Sequence, residues 1–198
     1  MYVLTINGRG PRPAADQVPG LVRTLRHLPA LIGFQRSVAD EVIGVVPDPD
    51  TAVQAALGAL RSRRWNVGIG AGAVHPPLPE AVGAAGGPGL VYARRAVDRA
   101  RTAAGRVPLA VEGADRGPAA EAEAVLRLLG GIVAGRSPAE WKVLDLLTPG
   151  ARGQQKLVAQ ELGISAQAVS KAVVRSRWNE EWACRPAAAR LLALASGA

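Results

Sequence analysis

The chain has 198 residues, 48% of them hydrophobic and 20% charged, which excludes a disordered polymer and leaves one large domain or two small ones open. Its net charge of +8 favours a polyanionic partner such as nucleic acid, although sixteen Lys and Arg against eleven Asp and Glu before residue 137 spread the excess widely. The single cysteine, Cys184, excludes an internal disulfide and a zinc set and is expected as a buried packing residue; no apolar run reaches the ~18–20 residues of a membrane span.

Residues 2–7 alternate as a strand and lack the basic start of a secretory leader, and the single cysteine fits a reducing cytoplasm. Glycines and prolines make 8–15 a loop carrying Arg9 and Arg12. From 16 to 28, Val18, Leu21, Val22, Leu25 and Leu28 recur at helical spacing, with Asp16 as cap and Pro19 in the first turn. Residues 32–38 and 42–46 read as a hairpin with Ala39-Asp40-Glu41 at its tip. Pro47-Asp48-Pro49-Asp50 ends it and caps a helix over 51–61, with Val53, Ala56, Leu57 and Leu60 inward. Arg61, Arg63 and Arg64 form a basic knot that suits the helix dipole as well as a phosphate. Residues 65–72 read as another strand. This order predicts an α+β fold with an antiparallel, ferredoxin-like sheet and helices packed on one face.

A glycine-rich loop covers 82–89. A helix with Arg94, Arg95, Arg99 and Arg101 spans 90–104, a further strand 107–111, a linker 113–118 and a helix 119–134. Gly68-Ile69-Gly70-Ala71-Gly72 lacks the third glycine of a dinucleotide-binding turn, and no GxxxxGK[ST] loop exists. Those glycines are expected to let another backbone approach the strand. His27 and His75 have no triad partners nearby and are expected on a helix surface and in a loop.

Ser137-Pro138-Ala139-Glu140 is a capping box with proline at the first helical position, and Trp141, Val143, Leu144, Leu146 and Leu147 form the core face that follows. After a loop over 148–153, residues 154–177 read QQKLVAQELGISAQAVSKAVVRSR. Val158, Leu162, Ile164, Val169 and Val173 fall where a helix-turn-helix needs apolar residues. Small Ala159 lets two helices approach, Gly163 can take the positive φ of the turn, and Ser165 can cap the second helix. A helical hairpin packed against the rest of the protein fits the same pattern. As a DNA reader, the stretch offers Gln154 and Gln155 to phosphates and Ser165, Gln167, Ala168 and Ser170 to the groove side. Lys171 and Arg175 suit guanine or phosphate, and Arg152 and Arg177 the backbone. Residues 179–182 begin a last helix that Pro186 should bend or divide. Its continuation over 187–195 covers the module or pairs with a second copy, and Trp178 and Trp182 are expected to pack.

Four segments, YVLTINGRG (2–10), RSVADEVIGVV (36–46), WNVGIGAG (65–72) and GLVYARRAVDRAR (89–101), resemble the SatD-like family. Its members carry a palm related to nucleotidyl and diguanylate cyclases, some with a C-terminal helix-turn-helix. The resemblance implies two-metal catalysis, with one acid at the end of the first strand and another at the hairpin tip. Asp40, beside Glu41, stands at the hairpin position. Asn7 stands at the first-strand position, and the segment of Arg94 and Arg95 has Tyr92 but not the implied Asn. Asp40 and Glu41 therefore stand as a solvated turn, as a ligand site using Mg or Mn with a nucleotide, or as retained catalytic acids.

The expected protein is a cytoplasmic DNA-binding transcription regulator. A palm-like domain over 1–115 senses or dimerises without a cofactor, a connecting helix covers 116–136, and an all-α helix-turn-helix domain covers 137–198. Its expected partners are double-stranded DNA, a second copy and, in one reading, a nucleotide, with no membrane. The alternatives are a nucleotidyl cyclase-like enzyme acting on nucleoside triphosphates and an interaction adaptor.

Overall fold

Strand β1 (Tyr2–Gly8) lies at the centre of the sheet in a computed structural model that describes residues 1–10, 15–102 and 107–197. Arg12 and Ala104, at the expected loop and helix end, lie outside those residues. β1 pairs antiparallel with β3 (Glu41–Val46) on one side and with β4 (Trp65–Ala71) on the other, so that Leu4 faces Gly44 and Ile69. β2 (Ile32–Arg36) pairs antiparallel with β3, and β5 (Leu109–Gly113) runs parallel to β4. The order is β2-β3-β1-β4-β5, a five-strand mixed sheet in an α+β fold with eight α-helices among the described residues. The four strands expected as an antiparallel sheet pair in that way, and β5 makes the sheet mixed, because a helical crossover from β4 returns the chain in the same direction.

The two-residue period of β1 divides the core. Tyr2, Leu4 and Ile6 join Val67 and Ile69 on one face, under α1 (Val18–Leu25), α2 (Pro49–Leu60), α4 (Arg116–Gly135) and α8 (Trp178–Ala195). Leu25, Leu57, Leu60, Leu126, Leu129 and Leu192 fill that layer. Val3, Ile43 and Val45 point to the other face, where Ala93 of α3 (Pro88–Thr102) meets them. The sheet is thus covered on both faces, not on one as expected. The glycines of β4 make this possible. A Cβ on Gly68 would lie 2.3 Å from the Val97 nitrogen, and one on Gly70 would lie 2.2 Å from the Gly89 carbonyl oxygen. Gly70→Ala is therefore expected to cost about 1–3 kcal/mol, since the obstacle is helix backbone and not a movable side chain. Urea unfolding measures this, and an unchanged midpoint would show that α3 does not need the missing methyl.

Three expectations over the second half change. The linker over 113–118 shrinks, because β5 runs to Gly113 and α4 starts at Arg116 with Asp115 as its cap. Pro186 does not divide the last helix: α8 runs through it, with the proline exposed. Cys184 is exposed and not buried. α8 also places Ala188, Ala189, Leu192 and Ala195 in the main core, so a division at residue 137 does not separate two cores.

β5 is an edge strand whose outward backbone groups are taken by side chains. Arg127 Nε donates to the Leu109 carbonyl at 2.8 Å, Arg99 donates to the Val111 carbonyl at 2.9 Å, and Glu123 accepts from the Val111 N–H at 2.9 Å. Among the described residues, no helix is long and apolar enough to cross a membrane.

Candidate nucleic-acid interface

Three helices follow α4: α5 (Pro138–Leu144), α6 (Gln155–Leu162) and α7 (Ala166–Arg175). The capping box at the start of α5 is formed. The Glu140 N–H donates to Ser137 Oγ at 3.2 Å, and the Glu140 carboxylate accepts from the Ser137 N–H at 2.8 Å. That backbone hydrogen bond holds the Glu140 carboxyl below its ordinary value, and the charge of Arg175 pulls the same way more weakly. Its stabilisation is present above the ordinary glutamate range and is lost as pH falls through the lowered folded value. Ser137→Ala should cost about 1 kcal/mol at neutral pH and somewhat less in acid, because the hydroxyl it removes also donates to the Glu140 carboxylate at 3.0 Å, as thermal unfolding at several pH values would measure. A cost that does not change with pH would separate the serine from the box.

Gly163, at φ 64°, ends α6 in the left-handed region, and the Ile164 N–H donates back to the Ala159 carbonyl at 2.9 Å. Ser165 caps α7, its hydroxyl oxygen accepting from the Ala168 N–H at 3.1 Å. Val143, Val158, Ala159 and Val169 form the small core between the three helices, with Leu147, Leu162 and Ala172 against it. Ile164, expected inside, is 40% exposed in the turn.

At 100° per residue, Gln167, Lys171, Val174 and Arg175 fall on the side of α7 opposite buried Val169 and Val173, and all four are exposed. Ser170 is half-buried, and Ala168 is exposed. Gln155 and Arg152 are exposed at the start of α6 and in the loop before it. Gln154 is occupied. Its amide oxygen accepts from the Thr148 N–H at 2.7 Å, and its nitrogen donates to the Thr148 and Ala151 carbonyls at 2.8 and 3.0 Å. It shapes the loop before α6 instead of presenting its amide to phosphate. Arg177 is exposed at φ 50°, the turn residue between α7 and α8. Val174 was not anticipated. Its signal was an apolar residue outside the Val169–Val173 stripe.

A buried ionic cluster seats this unit on the rest of the chain. Arg136, which ends α4, donates to Glu181 at 3.2 Å and to the Ser176 carbonyl at 3.1 Å. The side chains of Arg136 and Glu181 are 2% and 0% exposed. Glu181 also accepts from Arg185, which stacks 3.5 Å from the Trp182 ring. Burial lowers Arg136 from its ordinary value, and Glu181 opposes that shift. Arg61, at the end of α2, makes a two-pronged contact with Asp145, both bonds 2.7 Å, over Trp141. Trp178 and Trp182 meet edge to face. The sequence marked the tryptophans as packing residues but not the arginines that hold them.

The hairpin acids lie elsewhere, where β2 turns into β3. Glu41 is buried, and both its oxygens are held by Arg94 at 2.7 and 2.9 Å. Asn7, its register partner on β1, accepts through its amide oxygen from Asn66 at 2.9 Å. Asp40 is exposed, its carboxylate over Gly8. Of a two-metal set these residues leave only Asp40: an arginine already neutralises Glu41, and an amide replaces the second acid. Among the described residues, no group of three or more His, Cys, Asp or Glu side chains could hold a metal ion. His27 and His75 are exposed, one just beyond α1 and one in a loop.

Comparison with protein-family models, with curated proteins and with solved structures gave no match to this chain.

Proposed function

We propose that this chain is a DNA-binding transcription regulator that lays α7 in the major groove of a duplex, with α5 and α6 holding it in place. The observation that carries this reading is the open face of α7. Gln167, Lys171, Val174 and Arg175 stand in solvent on a capped helix that follows a glycine turn. An internal hairpin would bury that face. The Gln167 amide suits adenine, Lys171 and Arg175 suit guanine or phosphate, and Val174 suits a thymine methyl. The net charge of +8 supplies attraction to the backbone.

In the same reading, the body is a ferredoxin-like, cyclase-palm-like unit of the SatD-like kind. The antiparallel order β2-β3-β1-β4 supports this. It acts as a sensor or dimerisation unit. Arg94 on Glu41 and Asn66 on Asn7 weigh against metal-dependent nucleotide chemistry, and so against a cyclase. A cytoplasmic homodimer would place two copies of α7 on a two-fold symmetric site. The test is selection from fragmented genomic DNA. The expected result is enrichment of one short motif whose binding weakens as salt rises; uniform recovery of all fragments would refute the reading.

A further inference from the structure

A cleft of about 480 Å3 opens between the α/β body and the three-helix unit, a volume typical of small-molecule sites. Leu25, Leu28 and Leu57 give it an apolar wall. Trp141, Trp178 and Trp182, three of the chain's four tryptophans, line it too, with guanidiniums over the rings of Trp141 and Trp182. Arg61, Arg136 and Arg185 are among its lining residues, and the carboxylates paired with them are Asp145 and Glu181. The group therefore carries one positive charge in excess. Arg136, Arg185 and Glu181 are locked together away from water. Arg61 and Asp145 are not: their side chains are 39% and 49% exposed, and so wet a pair contributes little. An incoming anion can take the place of Asp145 at small cost. The Trp141 ring, 3.9 Å from the Arg61 guanidinium, keeps that group aimed while its partner changes.

We propose that this cleft binds a small aromatic monocarboxylate, with its ring against the tryptophans and its carboxylate on Arg61. Occupancy frees Asp145, loosens the tie between α2 and the three-helix unit, and so changes affinity for duplex. The effect on duplex rests on the DNA-binding reading; the site itself does not.

Calorimetric titration of the full chain with 1-naphthoate and with its neutral amide tests the site. The acid is expected to bind about tenfold or more tightly than the amide. Gly58 lines the cleft from α2, and a Cβ there would sit 3.6 Å from Leu25 Cδ2, an ordinary contact. Gly58→Leu should therefore fill the cleft and abolish binding without touching a charged pair, with circular dichroism reporting that the chain is folded. Arg61→Gln should weaken the acid about tenfold and leave the amide unchanged, which keeps the question open to measurement if Gly58→Leu fails to fold. Equal binding of acid and amide, wild-type binding by folded Gly58→Leu, or no binding of 1-naphthoate at millimolar concentration overturns the site. Saturating 1-naphthoate should then move the midpoint of a duplex titration by about threefold or more. An unmoved midpoint overturns the coupling alone. Absence of all duplex binding, with calorimetry intact, overturns the DNA reading and not the site.

Discussion

Glu181→Ala is expected to destabilise the protein by about 3–5 kcal/mol. Glu181 is fully buried and is the shared partner of Arg136 and Arg185. Removing it leaves two guanidiniums beneath the three-helix unit, one of them only 2% exposed, without the carboxylate that binds both. Arginine does not shed its proton at accessible pH, so the charge stays and its desolvation is uncompensated. The double change Arg136→Met with Glu181→Leu should recover a large part of the loss, because it removes one charge of each sign and fills the volume. Arg185, 16% exposed, would then turn toward water. Guanidinium unfolding of the three proteins measures this. If Glu181→Ala unfolds within about 1 kcal/mol of the parent, the cluster contributes little, as some buried ion pairs do.

Lys171→Ala combined with Arg175→Ala is expected to weaken duplex binding about a hundredfold at fixed moderate salt and to leave the unfolding midpoint nearly unchanged. Both side chains are exposed on the outward face of α7, so neither supports the small core of Val143, Val158 and Val169. For every cation taken away from a phosphate, the dependence of log affinity on log salt should fall by about one unit. Gln167→Ala should behave differently. It is expected to relax preference at one base position by about 1–3 kcal/mol and to leave the salt dependence alone. Fluorescence anisotropy over a salt series distinguishes the two patterns. A double variant that binds like the parent at every salt would remove α7 from the interface.

The elements were legible where local chemistry is strong. Gly163, Ser165 and the Ser137–Glu140 box fixed three helix ends, because each satisfies backbone groups within a few residues of itself. The alternation in β1 and the glycines of β4 were equally readable. What those glycines face was not: contact with α3 depends on the crossover from β4 to β5, a non-local choice that no window of residues contains. Asp40 and Glu41 looked alike at a turn, yet one is exposed and the other buried beneath Arg94, which is 53 residues away in sequence. Arg136 and Glu181 read as ordinary charges for the same reason, since each is defined by a partner 45 positions distant. The Ala/Leu pattern of the last helix suggested a cover for the three-helix unit or a seam with a second copy, and not a place in the sheet's own core.

Both margins of the sheet are blunted, by different means. At β5, Arg99, Glu123 and Arg127 occupy the amide and carbonyl positions that a neighbouring strand would seek. At β2, a register shift between Ile32 and Gln35 bends a strand of only five residues. Growth of the sheet from one molecule into the next is therefore opposed at either end, which guards the folded chain against fibre-like stacking. If two copies do associate, helical surfaces are what they have to offer one another.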